Sequence, residues 1–217
     1  MKGWGIVIET ASPSCQVGLL KEGEPVGGIR WDWPQTHGEE LVLLTQQVLR
    51  QAGLRWNDII YAVYHQGPGS HTGLRIGLTA IKAWALSFGW KVYAVPLLHI
   101  LRKVAEEISS PQQLIFCAWQ TRGERWYGQM WKGDTPIAPP ELLLASEWKA
   151  KVPEEAFWVG NIPHVSGGVY LSEISWQAVA AAARHIPPLD TTEQILALMP
   201  LYFRPFFPTQ RKKEPIA

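Results

Sequence analysis

The sequence predicts an α/β fold built as two small lobes, and three observations support this prediction. The chain has 217 residues, which suits one compact unit of two lobes better than two independent domains. Its hydrophobic content of 47% is ample for a core that needs no disulfide or metal to hold it. Short apolar runs alternate with longer segments of helical periodicity in a regular order along the first half.

The first half of the chain reads as three strands followed by alternating helices and strands. Predicted strands lie at 4–8, 15–20, 25–31, 59–64 and 91–95, and predicted helices at 38–52, 72–88 and 97–108. Gly53 is the expected stop of the first helix. This is the core order of the ribonuclease-H-like lobe of actin and sugar kinases, so we expect an actin-like lobe over residues 1–108.

The sequence pattern of the second half, residues 109–217, predicts a smaller and degenerate lobe with a basic tail. Its predicted elements are a hairpin of strands at 113–119 and 125–131, a strand at 157–160, and helices at 174–186 and 191–199. Gly167-Gly168 favours a plain turn over an adenosine-site diglycine. The tail residues Arg211, Lys212 and Lys213 favour solvated charge over RNA contact.

Charge and cysteine usage narrow the class of function. The formal net charge is +1, so the chain lacks a global electrostatic footprint for nucleic acid or membrane. Cys15 and Cys117 lie in strand-like runs outside any CxxC pair, which predicts buried free thiols in a reducing cytosol. The sequence carries neither a signal-peptide pattern nor an apolar run near ~20 residues, so we expect a cytoplasmic protein.

Twelve tryptophans are an unusual number for this length. Clustered exposed aromatics would suit stacking on RNA bases. These are scattered along the chain, which favours a role in cores and at lobe interfaces.

The segment Gly67-Pro68-Gly69-Ser70 is a glycine-rich turn between a predicted strand and the helix at 72–88. Ser70 or Thr72 can cap that helix. A glycine turn that leads into a helix N-terminus is a generic anion site, and a capped turn without a ligand is the alternative. The pattern alone leaves both interpretations open.

Glu9 ends the first predicted strand, where sugar kinases and related ATPases carry an acidic residue that holds Mg²⁺. A lone carboxylate without a second acidic ligand nearby is a weak basis for phosphoryl transfer. The candidate nucleotide or anion-binding residues are therefore Glu9, Thr10, Gly69 and Ser70.

The helix at 72–88 is apolar around most of its girth, with Arg75, Thr79 and Lys82 in one narrow stripe. Something besides its own sheet should cover it: either the second lobe or another subunit. Gly73 and Gly77 would let another helix approach closely. On the helix at 38–52, Leu43 falls on an otherwise polar face. The candidate partner-contact residues are Leu43, Gly73, Leu74, Gly77, Leu78 and Ile81.

The string GPGSHTGLRIG at residues 67–77 resembles the GPGSFTGLRIG signature of the bacterial TsaB (YeaZ) family, with His71 in place of phenylalanine. The segment Ile6–Ser12 is similar to the family's opening strand and turn. His37-Gly38-Glu39-Glu40-Leu41 is similar to its His-Ser-Glu-x-Leu segment. Leu201-Tyr202-Phe203-Arg204, after Pro200, resembles its C-terminal Pro-x-Tyr-x-Arg.

The second half departs from that family. The usual Asp-Ala-Arg and Glu-x-Tyr appear here as Gln120-Thr121-Arg122 and Arg125-Trp126-Tyr127, which keep only Arg122 and Tyr127. The catalytic relative, TsaD, holds a metal through a His-x-x-x-His pair. No two of the six histidines of this chain stand four or five apart, so the sequence predicts no such metal site.

The resemblance implies a non-catalytic subunit that supports a TsaD-like catalytic subunit in making N6-threonylcarbamoyladenosine at position 37 of tRNAs that read ANN codons. It also implies a TsaE-like ATPase as third partner, ATP and metal on the partner subunits, tRNA contact only through the complex, and a heterodimer. We expect a homodimer when the chain is alone. A stand-alone actin-superfamily ATPase or small-molecule kinase is the alternative, and the lack of an acidic pair speaks against it.

Overall fold

A computed structural model describes residues 1–32, 37–110, 112–121, 123–162 and 167–203, with backbone alone for 37–39. The basic tail, Arg122, Arg204 and the side chains of the His37-Gly38-Glu39 motif lie outside what it describes. None of the helices in the described part of the chain combines the length and apolar content needed to cross a bilayer.

The first sheet has five strands in the order β3-β2-β1-β4-β5. The pairs β1–β2 and β2–β3 are antiparallel, whereas β1–β4 and β4–β5 are parallel. This order confirms the predicted ribonuclease-H-like lobe. Its elements are β1 (Trp4–Glu9), β2 (Cys15–Lys21), β3 (Glu24–Trp31), α1 (His37–Gln51), β4 (Ile59–Gly67), α2 (His71–Phe88), β5 (Lys91–Pro96) and α3 (Leu97–Glu106).

Helices α1 and α2 end within one residue of the predicted position, whereas α3 ends at Glu106, two residues earlier than predicted. Gly53, just past α1, has a φ of 67°, and Gly89, just past α2, has a φ of 70°. Glycine adopts this left-handed conformation without the steric cost that a Cβ would add. The backbone N–H of Gly89 donates to the carbonyl of Ala85, and this hydrogen bond closes the last turn of α2.

The second sheet has the order β11-β10-β6-β7-β8, and β9 also pairs with β7. Its short elements β8, β9, β11 and α4 were not predicted. Gly168 opens β11, and Gly167 before it has a left-handed φ of 82°, as in a turn. The elements are β6 (Leu114–Gln120), β7 (Arg125–Lys132), β8 (Thr135–Pro136), β9 (Glu141–Leu144), α4 (Ala145–Lys151), β10 (Phe157–Gly160), β11 (Gly168–Tyr170), α5 (Trp176–Ala183) and α6 (Thr192–Ala197).

The elements stack in five layers around three apolar cores. Helices α1 and α2 cover one face of the first sheet, while α3 and α5 fill the space between the two sheets. Helix α4 covers the outer face of the second sheet through Trp148. Helix α6 packs on α2, and Val92 of β5 pairs with Leu189, so the end of the chain returns to the first lobe.

Buried aromatic and thiol side chains fill these cores. Among the residues that the structure describes, six tryptophans are buried, in line with the predicted packing role: Trp90, Trp126, Trp131, Trp148, Trp158 and Trp176. Cys15 and Cys117 are free and fully buried, as predicted. Burial raises the pKa of the Cys15 thiol to about 12 and also raises the pKa of Cys117, because the thiolate would lose its hydration.

Candidate functional site

The turn that follows β1 is organised around the carboxylate of Glu9, which is fully buried. Its Oε1 accepts hydrogen bonds from the backbone N–H groups of Ala11 and Ser12, at 2.9 and 3.1 Å. Its Oε2 lies 3.4 Å from Nε2 of Gln16. The side chain therefore closes its own turn, much as a buried carboxylate must find donors to offset lost hydration.

His65, on β4, completes the environment of Glu9 from the neighbouring strand. Its Nδ1 lies 2.9 Å from Oε1 of Glu9, and the imidazole is only 2% exposed. Its Nε2 is buried without a hydrogen-bond partner among the described residues. Sequence reasoning missed this contact, because His65 lies inside an apolar strand run that offers no periodic signal.

The turn after β1 also fixes the start of α2. The hydroxyl of Thr10 donates to the carbonyl of Gly73 at 2.8 Å. A Cβ on Gly73 would lie 1.8 Å from the carbonyl oxygen of Thr10, and a Cβ on Gly77 would lie 2.4 Å from the Thr10 hydroxyl. Both glycines therefore make room for Thr10 of the same chain, which corrects the expectation that they make room for a helix of another chain.

The structure brings the four candidate nucleotide or anion residues together and fills the space between them. The Ser70 backbone N–H donates to the Ala11 carbonyl at 2.8 Å, and a Cβ on Gly69 would meet Ala11 at 2.7 Å. Ser70 caps α2 by accepting from the N–H of Gly73. Glu9 and Thr10 are buried beneath this contact. Glu9 cannot reach a metal without breaking its turn, while nucleotide binding by this chain stays a prediction.

A polar network links the same turn to the second half of the chain. Nε2 of Gln16 donates to the carbonyl of Ile174 at 3.0 Å, and its Oε1 accepts from the N–H of Trp176 at 3.0 Å. Glu173 contacts both Ser14 and Arg30. The turn after β1 is therefore bridged to residues 173–176 by the protein's own side chains. Residues 173–176 carry no sequence pattern that points to this contact.

Of the candidate partner-contact residues, only Leu43 lies on the solvent-facing side of the two helices. Leu43 is 57% exposed and Val42 is 40% exposed, both on α1. The remaining candidates are buried in the chain's own core: Gly73, Leu74, Gly77, Leu78 and Ile81. These five residues face the first sheet. The prediction that they contact a partner directly is therefore corrected. On α2 the exposed side is formed by Thr72, Arg75, Thr79, Ala83 and Leu86.

An aromatic cluster at the C-terminal end of α2 extends this side, and sequence reasoning did not find it. Trp56 stacks on Phe88 and on Trp90, with ring centroids 5.9 and 6.0 Å apart. Trp84 lies 5.0 Å from Trp56. Phe88 and Leu86 are 39% and 43% exposed at its edge. The cluster ties the segment after α1 to the end of α2 and fixes the two helices relative to each other.

Comparisons with known proteins agree with this geometry. Residues 25–117 match the family model described as TsaD: tRNA N6-adenosine threonylcarbamoyltransferase.

The tRNA threonylcarbamoyladenosine biosynthesis protein TsaB of Escherichia coli is 24% identical over 158 residues, which are 66% of this chain and 68% of that protein. The TsaB protein of Haemophilus influenzae is 25% identical over 127 residues, 58% of this chain and 52% of that protein. The TsaB of Bacillus subtilis is also 24% identical, over 153 residues. The chain is thus similar to TsaB proteins from several bacteria.

Solved structures give the same fold. The crystal structure of an uncharacterized Pseudomonas aeruginosa protein with similarity to peptidase YeaZ has a TM-score of 0.73 and 19% identity, and covers 94% of this chain and 100% of that one. YeaZ from P. aeruginosa has a TM-score of 0.69 and 21% identity, and the alignment covers 93% of this chain and 100% of that one.

The chain aligns with between about half and two thirds of the length of its curated TsaB relatives.

The TsaB signature at 67–77 has a structural role throughout its length. His71, which replaces the family's phenylalanine, stacks on Tyr202 with ring centroids 4.4 Å apart. Nε of Arg75 donates to the Tyr202 hydroxyl at 3.1 Å. The Leu201 N–H donates to the carbonyl of Gln66. Leu201 and Tyr202 of the C-terminal TsaB-like motif therefore lie against the start of α2, and two motifs that are far apart in the sequence form one unit.

One of the family positions of the second half also contacts the C-terminal motif. Tyr127, on β7, meets the Phe203 ring edge-on at a centroid distance of 5.5 Å, and burial raises its pKa. The backbone N–H of Gln120 donates to Oδ1 of Asn161. Among the described residues, no group of three or more His, Cys, Asp or Glu side chains could hold a metal ion.

Proposed function

We propose that this chain takes part in forming N6-threonylcarbamoyladenosine at position 37 of tRNAs that read ANN codons. It acts as a non-catalytic subunit that binds and supports a TsaD-like catalytic subunit. The observation that carries the proposal is the family relationship: the curated relatives are named for the biosynthesis of this modified nucleoside, and the matching family model is named for the transferase that makes it.

The surroundings of Glu9 support the non-catalytic part of the proposal. A carboxylate that assists phosphoryl transfer has to reach a metal ion or substrate. Glu9 is fully buried, and both its oxygens are engaged by Ala11, Ser12, Gln16 and His65. This arrangement disfavours the alternative of a stand-alone ATPase or small-molecule kinase.

The exposed side of α1 and α2 is the surface that we assign to the TsaD-like subunit. Exposed leucine and valine side chains on a helix cost little singly but supply apolar area when a partner covers them. Leu43 and Val42 supply that area on α1, and Leu86 with Phe88 supplies it on α2. The same surface would pair two copies of this chain when the partner is absent.

The remaining partners follow from the same proposal. A TsaE-like ATPase joins the complex, and ATP and metal reside on the partner subunits. This chain contacts tRNA only through the complex, since its net charge of +1 provides little attraction for phosphates.

Reconstitution tests the proposal. The chain, the TsaD-like and TsaE-like proteins of the same organism, and unmodified tRNA are combined with a threonylcarbamoyl donor. Nucleoside digests are then analysed by mass spectrometry. We expect modified adenosine only when this chain is present, and no ATP turnover by this chain alone. ATP turnover by the purified chain alone would instead favour the kinase alternative.

A further inference from the structure

The segment at residues 195–202, which comprises the end of α6 and the extended chain after it, carries apolar side chains on both of its faces. Ile195 and Leu198 point inward and belong to the core beneath α1 and α2. Leu196 and Met199 point outward, where they are 54% and 63% exposed. A segment that is apolar on both faces is typical of one that is covered on both sides. Among the described residues, the chain itself covers only the inner face of this segment.

Hydrogen bonds from α2 and β4 hold this segment in place. Nζ of Lys82, on α2, donates to the carbonyl of Leu196 at 2.7 Å. Nε2 of Gln66, at the end of β4, donates to the carbonyl of Met199 at 3.0 Å, and the Leu201 N–H donates to the Gln66 carbonyl at 2.9 Å. These backbone groups are thus engaged within the chain, and what faces outward is apolar. We define the outward side chains as the C-terminal ridge: Leu196, Met199 and Leu201.

The C-terminal ridge continues the surface of α1 and α2. Across the first sheet, α1 packs on β2 and α2 packs on β4. The chain end follows on the far side of α2, because Leu189 pairs with Val92 of β5 and α6 packs on α2. Lys82 contacts the ridge, and Leu86, one helical turn further along α2, is exposed. The exposed apolar groups of α1, α2 and the ridge therefore lie side by side.

We propose that the C-terminal ridge is a third part of the surface that binds the TsaD-like subunit, beside α1 and α2. This inference rests on the proposed function and names further contact residues for it. A partner that covers Leu86 on α2 meets the ridge next, because the two are neighbours on one surface. The partner segment that covers the ridge is itself apolar, since every side chain from 196 to 201 is apolar. Met199 is unbranched and flexible, so it can adapt to such a face.

Methionine methyl signals test this contact directly, because the chain has only three methionines: Met1, Met130 and Met199. The full chain, deuterated except for its methionine methyl groups, is mixed in D₂O with the protonated TsaD-like subunit. The aromatic protons of that subunit are then saturated. We expect the Met199 signal to lose much more intensity than the Met130 signal, since Met130 packs against the core on the outer face of the second sheet. Met199→Leu identifies the signal.

Charged substitutions give a second readout. Met199→Glu and Leu196→Glu should each weaken binding of the TsaD-like subunit by about tenfold, because the carboxylate would be buried without a counter-charge. Ile108→Glu, at a position 53% exposed just past α3, is the matched control and should bind normally. All three variants should melt within about 2 °C of the unmodified chain, because the substituted side chains are exposed. Calorimetric titration measures the affinity.

The inference is wrong if the TsaD-like subunit binds while the Met199 signal keeps its intensity, or if both charged variants bind as Ile108→Glu does. A Met199 signal that shifts only as the free chain is concentrated would assign the ridge to a second copy and would overturn the inference as well. The proposed function survives these results, because Leu43→Glu reports on it separately. An unmodified chain that does not bind the TsaD-like subunit would overturn both.

Discussion

Nδ1 of His65 and Oε1 of Glu9 lie 2.9 Å apart in a place that solvent does not reach. Glu9 stands at the end of β1 and His65 near the end of β4, so this contact joins two parallel strands where both leave the sheet. Here a carboxylate is used to hold the chain's own turn.

Glu9→Ala should therefore act on stability. It would leave the N–H groups of Ala11 and Ser12 and the imidazole of His65 without their buried acceptor. We expect the free energy of unfolding to fall by about 3 to 5 kcal/mol, as when one partner of a buried polar contact is removed. Urea unfolding followed by circular dichroism measures it. The exposed substitution Glu155→Ala is the control, with an expected change within about 0.5 kcal/mol. An equally small loss for Glu9→Ala would contradict the structural role.

Gly73→Ala tests the close approach of α2 to Thr10. The new Cβ would lie 1.8 Å from a backbone oxygen, so the chain itself has to move. We expect a loss of about 3 kcal/mol in the free energy of unfolding, at the upper end for overpacking. Gly27→Ala is the matched control, because no atom lies within 4 Å of its added Cβ, and it should be neutral or slightly stabilising. A stable Gly73→Ala chain that no longer binds its partner would restore the interpretation that this glycine serves another chain's helix.

The first lobe could be predicted from sequence because its strands and helices carry strong periodic patterns and clear stops such as Gly53. The short elements could not. Strand β8 has two residues, and α4 has seven and depends on Trp148 being packed beneath it. Such elements are held by tertiary contacts that a local pattern does not reveal.

The faces of α2 show the same limit at the candidate site. Its sequence is apolar on nearly all sides, so periodicity could not separate the face toward the sheet from the face toward solvent. The contact between Thr10 and Gly73 determines which face of α2 lies toward the sheet. The two residues of this contact are 63 positions apart in the sequence. The pairing of Gln16 with Ile174 and Trp176 spans even more, and no motif in either segment indicates it.

Cys15 should make stability fall at alkaline pH. Burial, with smaller contributions from Glu9 and Glu40, raises its pKa from 9.0 to about 12, so the folded chain keeps a proton that the unfolded chain releases. This contribution is complete below about pH 9 and is lost as the pH rises toward 12, at up to about 1.4 kcal/mol per pH unit. Cys15→Ala removes it, so its unfolding free energy should fall less steeply above pH 9. Urea unfolding at a series of pH values from 8 to 10.5 compares the slopes. Parallel slopes for the two chains would contradict the prediction, because Tyr61, whose pKa is also raised to about 12, contributes equally to both.

Leu43→Glu tests the assignment of the α1 and α2 surface to a partner. Leu43 is 57% exposed, so a glutamate there remains hydrated in the free chain, and the free energy of unfolding should change by no more than about 0.5 kcal/mol. In a complex the carboxylate would be buried against apolar groups without a counter-charge, so affinity for the TsaD-like subunit should fall at least about tenfold. Calorimetric titration measures that affinity, and sedimentation measures self-association. Ile137→Glu, at a position 52% exposed just past β8, is the matched control and should bind normally. If Leu43→Glu binds as well as Ile137→Glu does, the partner contacts another surface, and the assignment of α1 and α2 is wrong.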